Sequence, residues 1–113
     1  FVDPSIEAMQ AAAQVGAPVV ELHTGCYADA LGTDAQAFEL ERIRAAAYEG
    51  NRLGLRIHAG HGLHYTNVQA VAAIGLIDEL NIGHAIVAQS VFDGFEKAVR
   101  DMKAIMWQAR LGK

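Results

Sequence analysis

The sequence predicts a parallel α/β fold and, within that class, part of a (βα)8 TIM barrel. Three observations support this prediction. Short apolar strands alternate with amphipathic segments of helical length along all 113 residues, with short connections between them. Each predicted strand carries polar side chains on one face. Glycine and histidine follow two of the strands, at the strand ends where barrel enzymes place their chemistry.

The first unit begins inside an element. Phe1-Val2-Asp3 is typical of the last residues of a strand, and no initiator Met precedes it. We therefore expect a fragment of a longer chain, or one half of a processed or split protein. With the four strand–helix units and the strand alternation described below, we expect residues 1–113 to be the carboxy-terminal half of a single barrel domain. Asp3 and Pro4 then predict a helix start, since Asp caps helices and Pro suits their first turn. This helix is expected to end near Gly16.

The second unit is a strand over Val19–His23, a loop and a long helix. Thr33-Asp34-Ala35-Gln36 has the form of a capping box, which predicts that the helix opens there. The helix is expected to end at Leu53-Gly54. Its apolar face carries Leu40, Ile43 and Ala47.

The third and fourth units follow the same order. A strand is predicted over Leu55–Ala59, and the capping box Thr66–Gln69 opens a short helix that ends at about Ala73. A further strand covers Ile77–Ile82, and Ser90 is expected to cap a long final helix. The residues expected to face inward on this helix are Val91, Phe95, Val99, Met102 and Ile105.

The alternation within the strands distinguishes a barrel from an open sheet. The polar pairs that share a face are Glu21 with His23, Arg56 with His58, and Glu79 with Asn81. The opposite face carries Val20, Leu22, Leu55, Ile57, Leu80 and Ile82. An open α/β sheet is normally apolar on both faces. The polar face therefore predicts a barrel interior in which Glu21, Arg56 and Glu79 pair, with the chain covering roughly strands five to eight.

Composition limits the classes of function. With 52% hydrophobic residues the chain can supply a core, and its net charge of −4 without a basic run argues against nucleic acid or an anionic membrane as a partner. No apolar stretch is long enough for a membrane span. The single cysteine, Cys26, excludes an internal disulfide and fits a reducing, cytoplasmic location. We expect Cys26 to be a small packed residue.

The most informative residue is His61, which lies between Gly60 and Gly62 at the end of a strand. Glycines allow a tight turn there, and an imidazole beside bare backbone amides suits proton transfer next to an anionic group. Histidines 58, 61 and 64 are also spaced by three, as in some metal sites, but the glycines disfavour the helix that would align them. We expect no metal, with His58 in the barrel interior and His64 at the rim.

Two further positions are candidates. Glu21 is either a structural partner of Arg56 or a carboxylate that stabilises positive charge in a reacting intermediate, and the spacing leaves both alternatives open. Gly83-His84 follows the last strand, where many barrels bind phosphate through backbone amides and a short extra helix. Gly62 falls in the corresponding place after the preceding strand.

Three segments together resemble pyridoxine 5′-phosphate synthases: residues 21–30 (ELHTGCYADA), 59–65 (AGHGLHY) and 79–86 (ELNIGHAI). Their order and spacing match over essentially the whole chain, but only over the carboxy-terminal half of that family's barrel. The resemblance implies a cytoplasmic, homo-oligomeric transferase of vitamin B6 biosynthesis. It condenses 1-deoxy-D-xylulose 5-phosphate with 3-amino-2-oxopropyl phosphate by acid–base chemistry without a cofactor, releasing pyridoxine 5′-phosphate, phosphate and water.

The resemblance also implies roles for individual residues. His61 matches the family's proton-donating histidine, and Glu21 matches its transition-state-stabilising glutamate. Gly62, Gly83 and His84 match positions that bind substrate or product. The chain departs from the family at His58, where Asn is common, and at His64, where a smaller polar residue is common.

The family's other catalytic histidine and glutamate belong to the first four strands. We therefore expect this chain to be inactive until a complementary amino-terminal half completes the barrel. Two alternatives remain at this point. One is a non-catalytic half-barrel that self-associates to bury its sheet edges. The other is a different phosphate-binding barrel enzyme, although no predicted strand carries a Lys for Schiff-base aldolase chemistry.

Overall fold

The computed structural model describes residues 1–112 and contains one parallel sheet. Its strands are β1 (Val19–His23), β2 (Arg56–Gly60) and β3 (Ile77–Asn81), in the order β1-β2-β3. Val2 forms a parallel bridge to Leu22, donating to the Glu21 carbonyl and accepting from the His23 amide. The predicted strand tail at the start of the chain therefore lies beside β1, and the parallel α/β class is confirmed.

The helices of the described chain alternate with these strands. They are α1 (Ile6–Gln14), α2 (Gly25–Asp29), α3 (Thr33–Arg52), α4 (Val68–Ala72), α5 (His84–Asp93) and α6 (Phe95–Leu111). Within the part of the chain that the structure describes, no helix combines the length and apolarity needed to cross a bilayer.

One face of the sheet is apolar and packed. Buried side chains of β1, β2 and β3 meet those of α1, α3, α4 and α6 in a single cluster. The largest fully buried apolar members are Met9, Leu22, Ile43, Ile57, Ile77, Met102, Val68 and Val71. The other face is polar and incompletely covered: Glu21 and His58 are half-buried and Glu79 is exposed. This two-faced sheet is the arrangement predicted from the strand alternation, and it is consistent with part of a barrel.

The strand register keeps the two faces separate. Glu21 lies opposite His58, and His58 lies opposite Glu79. The register between β2 and β3 shifts after Ile57, so Asp78 is an additional residue on β3. This irregularity leaves Ile77 on the buried face while Glu79 stays on the polar face, as a β-bulge does.

The predicted pairing of Glu21, Arg56 and Glu79 is wrong. Arg56 lies opposite Val19, and its Nε is 3.8 Å from the Asp78 carboxylate. The charged neighbour of Glu79 is His58, with 3.5 Å between Nδ1 and Oε2. The alternation along each strand correctly predicted that these charged side chains share one face of the sheet. Which of them are neighbours depends on the strand register.

The first helix is capped by Ser5, not by Asp3 as predicted. The Ser5 hydroxyl accepts a hydrogen bond from the Ala8 amide at 3.1 Å. Asp3 instead accepts from Arg42 of α3 at 2.7 Å. Asp and Ser are both preferred N-cap residues, so Asp3 and Ser5 were both candidates for this position.

Neither predicted capping box forms. Thr33 is already helical, preceded by Gly32 in a left-handed conformation, and no side chain caps α3. Asn67 precedes α4 without capping it, because its amide bonds the preceding turn instead. The predicted loop after β1 contains α2, on which Cys26 is exposed rather than packed.

The predicted long final helix is two helices. Gly94, at φ +86°, separates α5 from α6, and Ser90 lies inside α5, where its hydroxyl donates to the Val87 carbonyl. Val91 and Phe95 are exposed, contrary to prediction. The other three predicted inward positions, all on α6, are confirmed: Met102 is buried, and Val99 and Ile105 are half-buried.

Candidate active site

A cleft of about 510 Å³ opens at the carboxyl end of the sheet. All five residues singled out from the sequence line it: Glu21, His61, Gly62, Gly83 and His84. The cleft is completed by Phe1, Leu63, His64, Asn81, Ile82 and Ala85. Residues from three separate strand ends therefore meet at one place, as expected where parallel strands end at a common edge.

The backbone of His61 is strained. Its φ of +94° is the only positive value at a non-glycine residue within residues 1–112, and Gly62 follows at +77°. Such a conformation costs a residue with a Cβ about 1–3 kcal/mol and persists only where the surroundings impose it. The predicted tight turn is present, but the histidine itself takes the left-handed conformation that was expected only of its glycine neighbours.

Two buried side chains impose this conformation. The fully buried Thr24 donates from its hydroxyl to the His61 carbonyl at 2.6 Å. Asn67, only 8% exposed, donates to the Gly62 carbonyl at 3.1 Å and accepts from the His64 amide at 2.7 Å. The turn from His61 to His64 is thus held by the residue that follows β1 and by the residue that precedes α4.

Tyr27 of α2 supports the same turn from below. Its buried hydroxyl donates to the Asn67 carbonyl at 2.6 Å. Burial raises the pKa of Tyr27 above the usual value of 10.0, because the phenolate would lose its hydration. The hydroxyl therefore stays protonated and keeps donating over the physiological pH range, and α2 and α4 remain connected beneath the site.

Glu21 lies over Gly60. A Cβ on Gly60 would stand 2.5 Å from Glu21 Oε2 and 2.6 Å from the Asn81 carbonyl oxygen. Gly60 is therefore needed for the close approach of its neighbours and not for a positive φ. Within the described residues Glu21 forms no ion pair, and Arg56 is paired elsewhere. The structural alternative for Glu21, as the partner of Arg56, is wrong.

Three aromatic rings meet beside the cleft. The imidazoles of His23 and His61 are stacked, with centroids 4.7 Å apart and planes inclined by 26°. Phe1 meets His23 edge-on at 4.7 Å. The Gly25 amide donates to Nδ1 of His23 at 3.1 Å.

His23 was not assigned a role from the sequence. A signal was present, since it follows Glu21 at the next position of the same strand face and ends its strand. Asn81 carried the same signal on β3, two residues after Glu79. Thr24 and Asn67 had no such signal, because their function depends on which loops the fold brings together.

Gly83 and His84 form the other side of the cleft. Helix α5 begins at His84, directly after Gly83, and no side chain caps it. The first amides of a helix point outward without intrahelical partners, and together with the helix dipole they favour an anion. The first turn of α5 opens into the cleft beside the His61 turn.

The three histidines spaced by three have separate neighbours. His58 pairs with Glu79, His61 stacks on His23, and exposed His64 accepts the Thr66 amide at 3.2 Å. His58 lies on the polar face of the sheet, as predicted, and its place in a barrel interior stays a prediction. His64 lies at the rim of the cleft, as predicted. Among the described residues no group of three His, Cys, Asp or Glu side chains converges as metal ligands.

Comparisons with known proteins match almost the whole chain. Residues 1–108 match the family model described as "Pyridoxal phosphate biosynthesis protein PdxJ". Over 111 residues, the chain is 55% identical to each of the proteins named pyridoxine 5′-phosphate synthase from the Corby, Lens and Paris strains of Legionella pneumophila. The match covers 98% of this chain but only 45% of each relative, so the chain spans about half the length of the curated relatives it matches.

Proposed function

This chain belongs to the pyridoxal phosphate biosynthesis protein PdxJ family, and we propose that it forms the carboxy-terminal half of a pyridoxine 5′-phosphate synthase. The single observation that carries the proposal is the strained His61, held by buried hydrogen bonds in a cleft that also contains Glu21 and the start of α5. The strained backbone of His61 lowers the stability of the fold, and backbone strain of this kind is typical of functional residues.

The parallel sheet is consistent with a segment of a barrel. The Val2 bridge and β1, β2 and β3 correspond in this proposal to strands five, six, seven and eight. Its edges at Val2 and β3 have no further strand within the described residues, and its polar face is partly open. A complementary amino-terminal half would pair with both edges and enclose the polar face as the barrel interior.

The substrates in this proposal are 1-deoxy-D-xylulose 5-phosphate and 3-amino-2-oxopropyl phosphate. Both carry phosphate groups, and the cleft offers backbone amides at Gly62 and at the first turn of α5, from Gly83 and His84. Amide donors and a helix N-terminus bind phosphate without requiring a cationic side chain. The reaction takes place in the cytoplasm in this proposal, and the enzyme is a homo-oligomer, as the resemblance to the family implies.

His61 acts as the proton donor of the ring-forming condensation. Each step of that condensation, from Schiff-base formation to loss of phosphate and water, moves a proton, and an imidazole can give and take protons near neutral pH. Glu21 lies in the same cleft without an ion-pair partner among the described residues, so its carboxylate can stabilise the positive charge of an iminium intermediate. The other acid–base groups come from the amino-terminal half.

The test uses a completed barrel, defined here as this chain joined in place of the matching segment of the Legionella pneumophila synthase. We expect it to form pyridoxine 5′-phosphate, while this chain alone does not. A completed barrel that folds cooperatively but forms no product would contradict the proposal. If the junction prevents folding, the two parts are coexpressed as separate chains, and absence of product there would contradict it equally.

Two substitutions at His61 separate chemistry from structure. Both His61→Ala and His61→Gly are expected to lower kcat of the completed barrel by about 10²- to 10⁴-fold. Because Gly relieves the positive φ, His61→Gly should be more stable than His61→Ala by about 0.5–1 kcal/mol in urea unfolding. Undiminished product formation by either variant would show that His61 is not the proton donor.

A further inference from the structure

We propose that His23 is a positioning residue that holds the imidazole of His61 in its working orientation. The kinetic part of this inference rests on the function proposed above. The backbone of His61 is fixed by Thr24, but its side chain receives no hydrogen bond within residues 1–112. The stacked His23 ring, 4.7 Å away, is the planar surface that it rests against.

The His23 ring is itself fixed. It stands at the end of β1, half-buried, and its Nδ1 accepts the Gly25 amide at 3.1 Å. With Nδ1 as the acceptor, the neutral ring carries its proton on Nε2. Phe1 contacts the same ring edge-on, with centroids 4.7 Å apart. A hydrogen bond in the ring plane and an aromatic edge contact together restrict both side-chain torsions of His23.

Gly25 is what allows the two imidazoles to pack together. A Cβ there would collide with Cε1 of His23 and would lie 3.1 Å from Cδ2 of His61. Both rings therefore rest against the first residue of α2. The two imidazoles lie where the start of α2, the end of β1 and the turn after β2 come together. His23 is fixed by β1 and by α2, and it therefore fixes the His61 ring relative to both elements.

This arrangement bears on rate more than on binding. A reacting group must be held in near-attack geometry, and a misplacement of about 1 Å can cost about 100-fold in rate. Without the His23 ring, the His61 side chain would sample other rotamers about its fixed backbone. Substrate phosphates, in contrast, are bound by backbone amides that His23 does not contact.

Two substitutions separate the ring from its hydrogen bond. His23→Asn keeps an acceptor for the Gly25 amide but removes the ring, whereas His23→Phe keeps a flat ring but removes the acceptor. In the completed barrel we expect His23→Asn to lower kcat about 10-fold with KM changed less than about twofold, because only the reacting geometry is disturbed. His23→Phe should retain kcat within about threefold.

A second readout does not depend on activity. A ring stacked at 4.7 Å shifts the Cδ2-bound proton of His61 upfield in the NMR spectrum. This shift should disappear in His23→Asn and persist in His23→Phe. His64→Asn is the matched control for this signal, since His64 also accepts an amide two residues ahead through Nδ1 but does not stack on His61.

Several outcomes would overturn the inference. One is an unchanged His61 signal in His23→Asn. Another is a loss of kcat in His23→Phe that equals or exceeds the loss in His23→Asn, because Phe keeps the ring and lacks only the acceptor for the Gly25 amide. If His23→Asn fails to fold, His23→Leu takes its place with the same expectations. If the completed barrel proves inactive, the proposed function fails, and the NMR comparison alone decides whether His23 positions His61.

Discussion

Two strand ends of this molecule carry the same residue types, a glycine beside a histidine, but the fold treats them differently. After β2, the His61-Gly62 turn is tied down by Thr24 and Asn67 and has two consecutive positive φ values. After β3, no side chain caps the helix that begins at His84, and neither Gly83 nor His84 has a positive φ.

Under the function proposed above, this difference corresponds to two ways of preparing a strand end for a ligand. A side chain that moves a proton has to be held still, and the turn after β2 achieves this with buried hydrogen bonds at the cost of backbone strain. A phosphate requires only free amides, and the turn after β3 provides them by beginning a helix. The surroundings of the two glycines differ in the same way. A Cβ on Gly62 would stand 2.6 Å from the Ala28 Cβ, whereas no heavy atom lies within 4 Å of a Cβ placed on Gly83.

The largest effect is expected from a substitution that disrupts the His61-Gly62 turn itself. Gly62→Ala places a Cβ at a φ of +77° and against Ala28, which should cost about 2–4 kcal/mol of unfolding free energy. Gly83→Ala is the matched control, at φ −120° with open space around it, and should cost less than about 1 kcal/mol. Urea unfolding of the completed barrel measures both. Equal losses would show that the two strand ends are not different in rigidity.

The next largest effect is expected when the Thr24 hydroxyl, one of the two anchors of the His61 turn, is replaced by a methyl group of similar shape. Thr24→Val leaves the His61 carbonyl without its buried donor and should cost about 1–3 kcal/mol. Turnover should fall as well, because the strained turn is then free to relax. Thr66→Val is the control: its hydroxyl lies 3.2 Å from His64 Nδ1 at an exposed position, so the expected cost is within about 0.5 kcal/mol. Unfolding free energies that do not differ between the two variants would contradict the anchoring role of Thr24.

The smallest effect concerns the support below the turn. Tyr27→Phe removes the donor to the Asn67 carbonyl and should cost about 1 kcal/mol near neutral pH. The exposed Tyr48 provides the control variant Tyr48→Phe, with an expected change of less than about 0.5 kcal/mol.

Tyr27 also predicts a pH dependence. Because burial raises its pKa above 10.0, the folded protein retains this proton at pH values where the unfolded chain has released it. The resulting stabilisation is complete below pH 10 and is lost as the pH rises through the folded pKa. Unfolding free energies between pH 8 and about 11 should therefore decrease less steeply for Tyr27→Phe than for the unsubstituted protein. Parallel curves would exclude Tyr27 as the titrating group.

Much of the architecture could be predicted because it depends on local pattern. The alternation within β1, β2 and β3 identified both faces of the sheet, and the glycine-flanked histidine identified the turn of the site. Helix starts were less predictable. Ser5, Thr33 and Ser90 are all suitable caps by residue type, and whether such a residue caps depends on where the rest of the chain directs the backbone.

The sequence by itself determined the parallel α/β class, the polar face of the sheet, and the candidates His61, Glu21, Gly62, Gly83 and His84, because periodicity and residue chemistry are local properties. Only the tertiary structure decided that His58 pairs with Glu79 while Arg56 meets Asp78, since a bulged register can be read only from paired strands. It also decided that His61 takes a positive φ, is anchored by Thr24 and stacks on His23. These contacts join residues 37 and 38 positions apart in the chain, and the pattern around either partner contains no record of the other.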